Sequence, residues 1–543
     1  MVRDLETLSG QEFDLIVVGG GIQGACVARE AALNALRVAL IERGDFSSAT
    51  SHHSLKLIHG GIRYLQQFDL ARVIRSIRER RFWLRAAPHL IRPLKVVVPT
   101  FGHGLRGRGA FIMATLIYNV LGLRANAGVA PSRRVGLART IARRRLLGLL
   151  PEADESDVSG GAIWYDGQMT HADRVVLECI QQCTEHGGLC ANYVSAEQVE
   201  AREGRVTGLR ARCLLTKRPL TIRAPLIVNA SGPWLMELPR QALNDHEVFP
   251  QSFNLNLALR CTPREYAFAL RSRQLADSKI GEVKRFLFFT PWYGVTVAGT
   301  SHTPYYGDIN HPQAEIEKVG RDFLAEINST LKSRQFSTDD IVYTYWGLTP
   351  GDDANKGSGR ALKSEILDHG PEGFSGLFSV AGVKFTTARY MAENVLRQLA
   401  RLDGRGIMGK DDVPLPGGED FVDDATLRRD LLAQFPSGER AVDHLMQYFG
   451  TMTLRVMQEP VGLDNAEAVQ LGEGLARHVV YSARHEMVQT LSDFLVRRFN
   501  GVQGGRVSDR HVRCVAQLLG RELSWSRRQV DAEVAQFLSA FPS

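Results

Sequence analysis

A chain of 543 residues is several times the size of one ordinary domain, so two or three domains and a well-buried core are expected. Hydrophobic residues at 44% and charged residues at 23% lie near the averages of soluble globular proteins, which excludes collagen-like, mucin-like and disordered classes. The 66 basic against 59 acidic residues leave a net charge of +7, a mild surplus that suits anionic substrates or an acidic membrane surface; no nucleic-acid-binding motif accompanies it.

The N-terminal run Met1 to Glu6 carries acids and no apolar stretch of signal-peptide length, so export is not expected. The seven cysteines are scattered, with no Cys-x-x-Cys pair and no histidine at zinc-ligand spacing. They read as reduced packing thiols, which predicts a cytoplasmic setting and no metal site.

The first elements form a βαβ unit: strand Asp14 to Val18, a glycine turn Gly19 to Gly24, helix Ala25 to Leu36, and strand Val38 to Glu42. Each glycine has a physical role in a dinucleotide site. Gly19 lets the strand turn, Gly21 lets backbone approach a pyrophosphate, and Gly24 lets the helix pack on the sheet, so that phosphate meets the helix N-terminus. Glu42 ends the second strand at the spacing where an acid accepts ribose hydroxyls. NAD and FAD share this fingerprint, so the turn alone leaves the choice open. The following run, Gly44 to Leu65, is dense in small, hydroxyl and basic residues and can lie along a cofactor with its backbone exposed.

The apolar stretch Gly109 to Leu123 falls short of the roughly 20 residues that cross a bilayer. Flanked by Arg106, Arg108 and Arg124 and followed by Arg133, Arg134, Arg139, Arg143, Arg144 and Arg145, it suits an interfacial helix on anionic lipid; a buried helix beside a solvated basic face is the alternative. Strand-like segments at Arg205 to Leu209, Leu215 to Ile222 and Phe286 to Thr296 suggest an inserted β-rich substrate domain. A second strand-glycine-helix passage runs from Leu377 to Ala381, through Gly382, to a helix over Lys384 to Leu399. Beyond Pro414 helix formers and paired charges predict a helical C-terminal domain. The expected architecture is α/β plus α+β: a discontinuous Rossmann-like FAD-binding domain (1–85, 155–235 and 345–405), an antiparallel β-rich substrate domain (86–154 and 236–344), and a helical C-terminal domain (410–543).

The run from Ala49-Thr50-Ser51 to Lys56-Leu-Ile-His59-Gly60-Gly61-Ile62-Arg63-Tyr64-Leu65 resembles the signature of the FAD-dependent glycerol-3-phosphate dehydrogenase and oxidase family, with Ile62 in place of the family's leucine. Further matches follow in the family's order: Ala86 to Leu90, Val228 to Trp234, Asp339 to Tyr345, Gly382 to Arg389, Ala483 to Met487, and Arg497-Arg498. The resemblance implies FAD as cofactor and a peripheral membrane enzyme of the cytoplasmic face. It implies hydride transfer from the secondary alcohol carbon of glycerol 3-phosphate to flavin, giving dihydroxyacetone phosphate, with electrons leaving to quinone or, in the oxidase branch, to oxygen. Glycine pattern and resemblance together place Gly19, Gly21, Ile22, Gln23, Gly24, Glu42, Arg43, Thr50, Ser51, Lys56, Leu57, Ile58, His59, Ser231, Gly232, Gly382, Lys384, Phe385 and Thr386 against FAD. Arg63, Tyr64, Thr349 and Lys384 are placed against the substrate.

Alcohol oxidation by flavin needs a base for the hydroxyl proton and positive charge for the reduced ring. His59 is the base candidate, since an ordinary imidazole titrates near neutrality and its flanking glycines allow substrate to approach; a structural histidine holding the loop is the alternative. Arg63 and Lys384 are the candidate cations, Lys384 at the start of a helix whose dipole adds positive potential, with a surface ion pair and a solvated lysine as the bland readings.

The chain departs from the family where substrate is bound. Gly347-Leu348-Thr349-Pro350 stands where the family carries Gly-Val-Arg-Pro, a second arginine near Lys363 is absent, and Ser252 to Asn256 replaces a Lys-Gly-Ser-His segment. Lys356, Arg360 or Lys363 are the compensating cations. These losses leave open a different small polyol, hydroxy acid or amine as substrate, or a catalytically silent scaffold.

Overall fold

The computed structural model describes residues 1–102, 108–153, 156–238, 251–276, 283–331, 334–351, 364–404, 409, 412–462, 466–505 and 507–541. Its first sheet has six strands in the order Glu365–Asp368, Leu377–Ala381, Ile227–Asn229, Leu15–Val18, Val38–Ile41 and Leu189–Ala191, parallel except at the Glu365–Asp368 edge. Parallel neighbours require crossovers, so distant parts of the chain meet in one sheet.

Side-chain alternation sorts the central strands between two layers. Leu15, Val17, Val38 and Leu40 pack in the core that includes the helices Ile22–Leu33, Ala172–Glu185 and Ala388–Asp403. Ile16, Val18, Ala39 and Ile41 face a three-stranded antiparallel sheet of Val194–Arg202, Arg205–Cys213 and Pro219–Arg223. Arg205 to Leu209 and Leu215 to Ile222, read from strand-like composition as part of an inserted substrate domain although they fall within the 155–235 stretch assigned to the FAD-binding domain, lie in this layer. Val206, Leu209, Leu220 and Ile222 bury their apolar face against the parallel sheet.

The second sheet follows the order Ile341–Pro350, Gln251–Leu259, Val295–Tyr305, Val283–Trp292, Ala267–Ala276, Ile91–Phe101, Val158–Met169 and Leu57–Ile58, with Arg139–Ala142 also paired to Val158–Met169. Its pairings are antiparallel except Ala267 and Phe268 against Val96 and Val97. Phe253, Leu255 and Leu257 point to a core shared with Phe323 and Ile327 of the helix Gln313–Thr330. The alternate residues Asn254 and Asn256 reach the opposite face, toward the cleft described below.

Beyond residue 412 the described chain is helical, with cores around Leu445, Val479, Phe494, Val515 and Phe537. Buried charges tie it to the first sheet. Arg498 donates to both carboxylate oxygens of Asp45 at 2.6 and 2.9 Å, Arg497 adds a bond of 2.6 Å, and Arg174 pairs with Glu486 at 2.8 Å.

Among the described residues no helix is long and apolar enough to cross a membrane. The helix Arg108–Leu121 is not the buried helix that its composition allowed. Thr115 and Tyr118 turn inward, whereas Met113, Leu116 and Val120 are 59%, 54% and 64% exposed. Arg134, Arg139, Arg143, Arg144 and Arg145 lie exposed nearby in the chain, and Arg133 is buried in a pair with Asp424 at 2.7 Å.

Candidate active site

The glycine turn, the 44–65 run and the inner face of the second sheet enclose one cleft of ≈ 2490 Å³. Small-ligand sites commonly measure roughly 300–1,000 Å³, so this one has room for a dinucleotide and a substrate together. Gly19 takes a left-handed φ of +109°, and a Cβ on Gly24 would lie 1.9 Å from the Gly19 carbonyl oxygen, which only glycine avoids. Gly24 therefore packs the helix rather than touching the cleft. Gly21, Ile22 and Gln23 open onto the cleft, and Ser51 accepts the Ile22 N–H at 2.9 Å.

Glu42 accepts the N–H groups of Gly20 and Gly44, one on each carboxylate oxygen at 2.7 Å. Burial pushes its carboxyl above the ordinary range despite those two bonds. Each oxygen keeps a lone pair for a ribose hydroxyl. Arg43 stacks 3.8 Å over the Trp234 ring, beside Ser231 and Gly232, and closes this end of the cleft.

At the other end, His59, Arg63, Tyr64, Lys384, Phe385 and Thr386 line the same cavity. The His59 N–H donates to Thr386 Oγ1 at 3.0 Å, and Gln23 Nε2 donates to the Lys384 carbonyl at 3.3 Å. These bonds join the glycine turn, the signature run and the late Gly382 passage. Lys384 does not open a helix: the helix begins at Ala388 with Thr387 as its cap, and Gly382 to Lys384 are an irregular stretch leading to the turn at Thr386 and Thr387. A Cβ on Gly382 would lie 2.3 Å from Gln23 Cδ, so that position is needed to seat Gln23.

The Lys384 ammonium donates to the Tyr64 hydroxyl. Burial, with the Arg63 charge beside it, pulls Lys384 down to about 8. Arg63 lines the cleft, exposed to it and without a carboxylate partner among the described residues, and desolvation by the surrounding protein lowers its affinity for the proton. Thr349 Oγ1 accepts from Asn254 Nδ2 at 2.9 Å, and Asn254 Oδ1 takes the imidazole of His302. A hydrogen-bonded trio of Thr349, Asn254 and His302 thus occupies the place where the family's arginine was expected. Lys356, Arg360 and Lys363 lie outside the described residues.

Besides Gly24, two expected cofactor contacts are off the cleft. Lys56 is buried, its ammonium bonded to the His52 carbonyl and 4.7 Å over the Tyr345 ring, and burial pulls it down to about 8. Ile58 points into the core while its strand neighbour Leu57 and the adjacent His59 line the cavity, as alternation requires. Thr50 lines the cleft and donates to the Leu348 carbonyl at 2.8 Å. The glycine beside His59 does not make room for substrate either. A Cβ on Gly60 would lie 2.0 Å from the Tyr118 hydroxyl and 2.1 Å from Arg80 Nη1.

Sequence reading missed Asp166 and His302. Asp166 sits on the strand Val158–Met169 with its Oδ2 3.3 Å from His59 Nδ1. An acid directly after the apolar run Ala162 to Tyr165 is the signal that a buried partner exists, but it does not say which.

Residues 14–397 match the family model of FAD dependent oxidoreductases, and residues 410–530 match that of the C-terminal domain of alpha-glycerophosphate oxidase. The chain belongs to the FAD dependent oxidoreductase family. This oxidoreductase is 27% identical to the glycerol-3-phosphate dehydrogenase of Synechocystis sp., over 99% of this chain and 97% of that protein. It is 28% identical to the alpha-glycerophosphate oxidase of Streptococcus pneumoniae, over 97% and 95%. In fold it resembles the FAD-complexed glycerol-3-phosphate dehydrogenase of Bacillus halodurans, with a TM-score of 0.75, 23% identity, and 99% and 96% of the two chains covered. Its cofactor is FAD, and the glycine turn, Glu42 and a cleft of this size fit that group.

Proposed function

We propose that this oxidoreductase oxidises glycerol 3-phosphate to dihydroxyacetone phosphate and passes the electrons to a membrane-dissolved quinone. The observation that carries the reading is the convergence of His59, Arg63 and Lys384 on the cleft that holds the glycine turn and Glu42. Bound FAD supplies a two-electron hydride acceptor and hands the electrons on. The Gly19 to Gly24 turn, Glu42, Ser51, Ser231 and Thr386 are the residues that would hold it. His59 takes the proton of the substrate hydroxyl, Arg63 binds the phosphate or another anionic group, and Lys384 offsets negative charge that develops during oxidation. The chemistry requires a base and cations within one water-excluding site, and no other cluster of described residues combines these with the dinucleotide turn.

The mouth of the cleft supports a quinone acceptor. Met113 and Ile117 line the cavity and also belong to the exposed apolar face of the helix Arg108–Leu121, with Phe68 and Leu70 beside them. Contiguous exposed apolar side chains flanked by arginines suit a lipid surface.

A second reading, oxidation of a different small hydroxylated or amino substrate, is favoured by the hydrogen-bonded Asn254, His302 and Thr349 trio, which places no arginine there to bind a phosphate. Anaerobic titration of the purified flavoprotein decides between them. Glycerol 3-phosphate is expected to bleach the flavin absorbance at concentrations below about a millimolar. Bleaching by an unphosphorylated alcohol, a hydroxy acid or an amine, with glycerol 3-phosphate inert, refutes the first reading. Reduction of a quinone analogue on anionic vesicles, lost in a Met113→Ser, Leu116→Ser, Val120→Ser variant, tests the acceptor; hydrogen peroxide formation at the full turnover rate argues for oxygen instead.

A further inference from the structure

We infer that Asp166 is a positioning residue for His59: its carboxylate fixes the imidazole as the Nδ1–H tautomer and leaves Nε2 bare to accept the substrate proton. The inference rests on His59 being the base of the proposed oxidation, and it concerns a residue that neither the motif pattern nor the resemblance brought forward.

The pairing arises from sheet register. Leu57 and Ile58 lie antiparallel to Gln168 and Gly167, and one further step along both chains sets His59 against Asp166. Asp166 is 3% exposed while the His59 side chain is 48% exposed, so the acid is the fixed, buried member and the imidazole the accessible one. Three further groups hold the carboxylate. The Gly60 N–H donates to Oδ1 at 2.6 Å, Trp164 Nε1 donates to Oδ2 at 3.1 Å, and Arg80 Nη1 lies 3.7 Å from Oδ1.

Burial alone would push Asp166 up, but the bond to His59, the Arg80 charge and the Gly60 N–H outweigh it and hold the carboxyl below the ordinary range. An ionised carboxylate only accepts hydrogen bonds, so the proton in the His59 to Asp166 contact sits on Nδ1. Nε2 has no protein partner among the described residues. The charged and titratable groups facing the pair are Arg80 from the helix Leu70–Ala86, Tyr118 from the helix Arg108–Leu121, and Arg63 and Lys384 across the cleft.

In the reaction the alcohol O–H bond breaks and its proton passes to Nε2, while the carbon-bound hydrogen leaves with its electron pair to the cofactor and the C=O bond forms. The imidazolium so made carries its charge against Asp166, which stays unprotonated. An Asp–His pair of this kind orients the ring and stabilises the cation without relaying a proton.

The test is Asp166→Asn, read by anaerobic stopped-flow reduction of the flavin as a function of pH. An amide can donate to Nδ1 and turns the ring to the wrong tautomer, so the limiting rate is expected to fall on the order of 10²- to 10⁴-fold. Flavin content should stay the same, the ascending limb of the pH profile should move toward acid, and Asp166→Glu should recover part of the rate. A His59→Gln control separates the two claims. If His59→Gln reduces flavin at the wild-type rate, the base assignment fails and this inference falls with it. If His59→Gln is slow while Asp166→Asn keeps the wild-type rate and profile, only the role of Asp166 is overturned. Should Asp166→Asn not fold, the nitrogen-15 spectrum of imidazole-labelled wild type, with the His59 signal identified by loss in His59→Gln, gives the answer: an Nε2–H tautomer overturns the inference and an Nδ1–H tautomer supports it.

Discussion

Replacing Arg498 by methionine removes the two guanidinium bonds, 2.6 and 2.9 Å long, that reach Asp45 from the C-terminal helical region. Asp45 is fully buried next to Gly44, whose N–H holds Glu42, and Arg497 at 2.6 Å and Asn192 at 3.2 Å remain its other donors. Stranding a buried charge costs about 3–5 kcal/mol, and the surviving Arg497 bond puts the expected loss near ~3. Unfolding entropy for a chain of this length is roughly 1.1 kcal/mol per kelvin, so the melting midpoint should fall by about 3 °C. Because the disturbed loop carries Gly44, Ser48 and Ser51 into the cofactor cleft, FAD should also be lost faster on desalting. Circular dichroism melting and flavin absorbance per chain measure the two effects. The double variant Asp45→Asn, Arg498→Met should be milder than the sum of its parts, since it leaves no buried charge unpaired. A single variant with unchanged melting and full FAD retention, or strict additivity in the cycle, would refute the view that this pair locks the cofactor loop.

Acid should loosen the C-terminal region: burial pulls His444 down to about 4 from an ordinary 6.5, and His478 and His171 are lowered by burial too. Protons then favour the unfolded state, so stability is full above pH 6.5 and falls between there and pH 4 by on the order of 3 kcal/mol for His444 alone, which melts recorded across that range will show. Lys384 loses its charge as pH rises past about 8, so flavin reduction should decline on the alkaline side, and Lys384→Arg should carry the plateau to higher pH. An alkaline limb unchanged in Lys384→Arg would remove Lys384 from the mechanism. Gly24→Ala drives a methyl group into the Gly19 carbonyl, 1.9 Å away, and should cost about 1–3 kcal/mol and most of the bound FAD, measured by flavin per chain after gel filtration.

The dinucleotide turn was legible in the sequence because it is local. Gly19, Gly21 and Gly24 sit within one turn, and their spacing encodes a strand, a tight bend and a helix without reference to the rest of the chain. The signature run to Tyr64 and the late passage at Gly382 were likewise visible as contiguous motifs. The failures share one cause. Whether a residue in such a run faces the cleft depends on which neighbour covers it, so Lys56 and Ile58 lie off the cavity while Leu57, buried at its wall, and His59 line it. Helix start points went astray for the same reason: Lys384 lies in a loop whose carbonyl is bonded by Gln23 from the helix Ile22–Leu33.

Composition and motif order thus determined the cofactor class, the α/β architecture and the residues that carry charge into the site. Only the tertiary structure decided which acid backs His59, which strand carries it, and that the Thr349 hydroxyl is bonded by Asn254, which in turn binds His302. Those facts come from strand register between segments about 100 residues apart, and register is set by the packing of whole sheets, a property that no local stretch of residues contains.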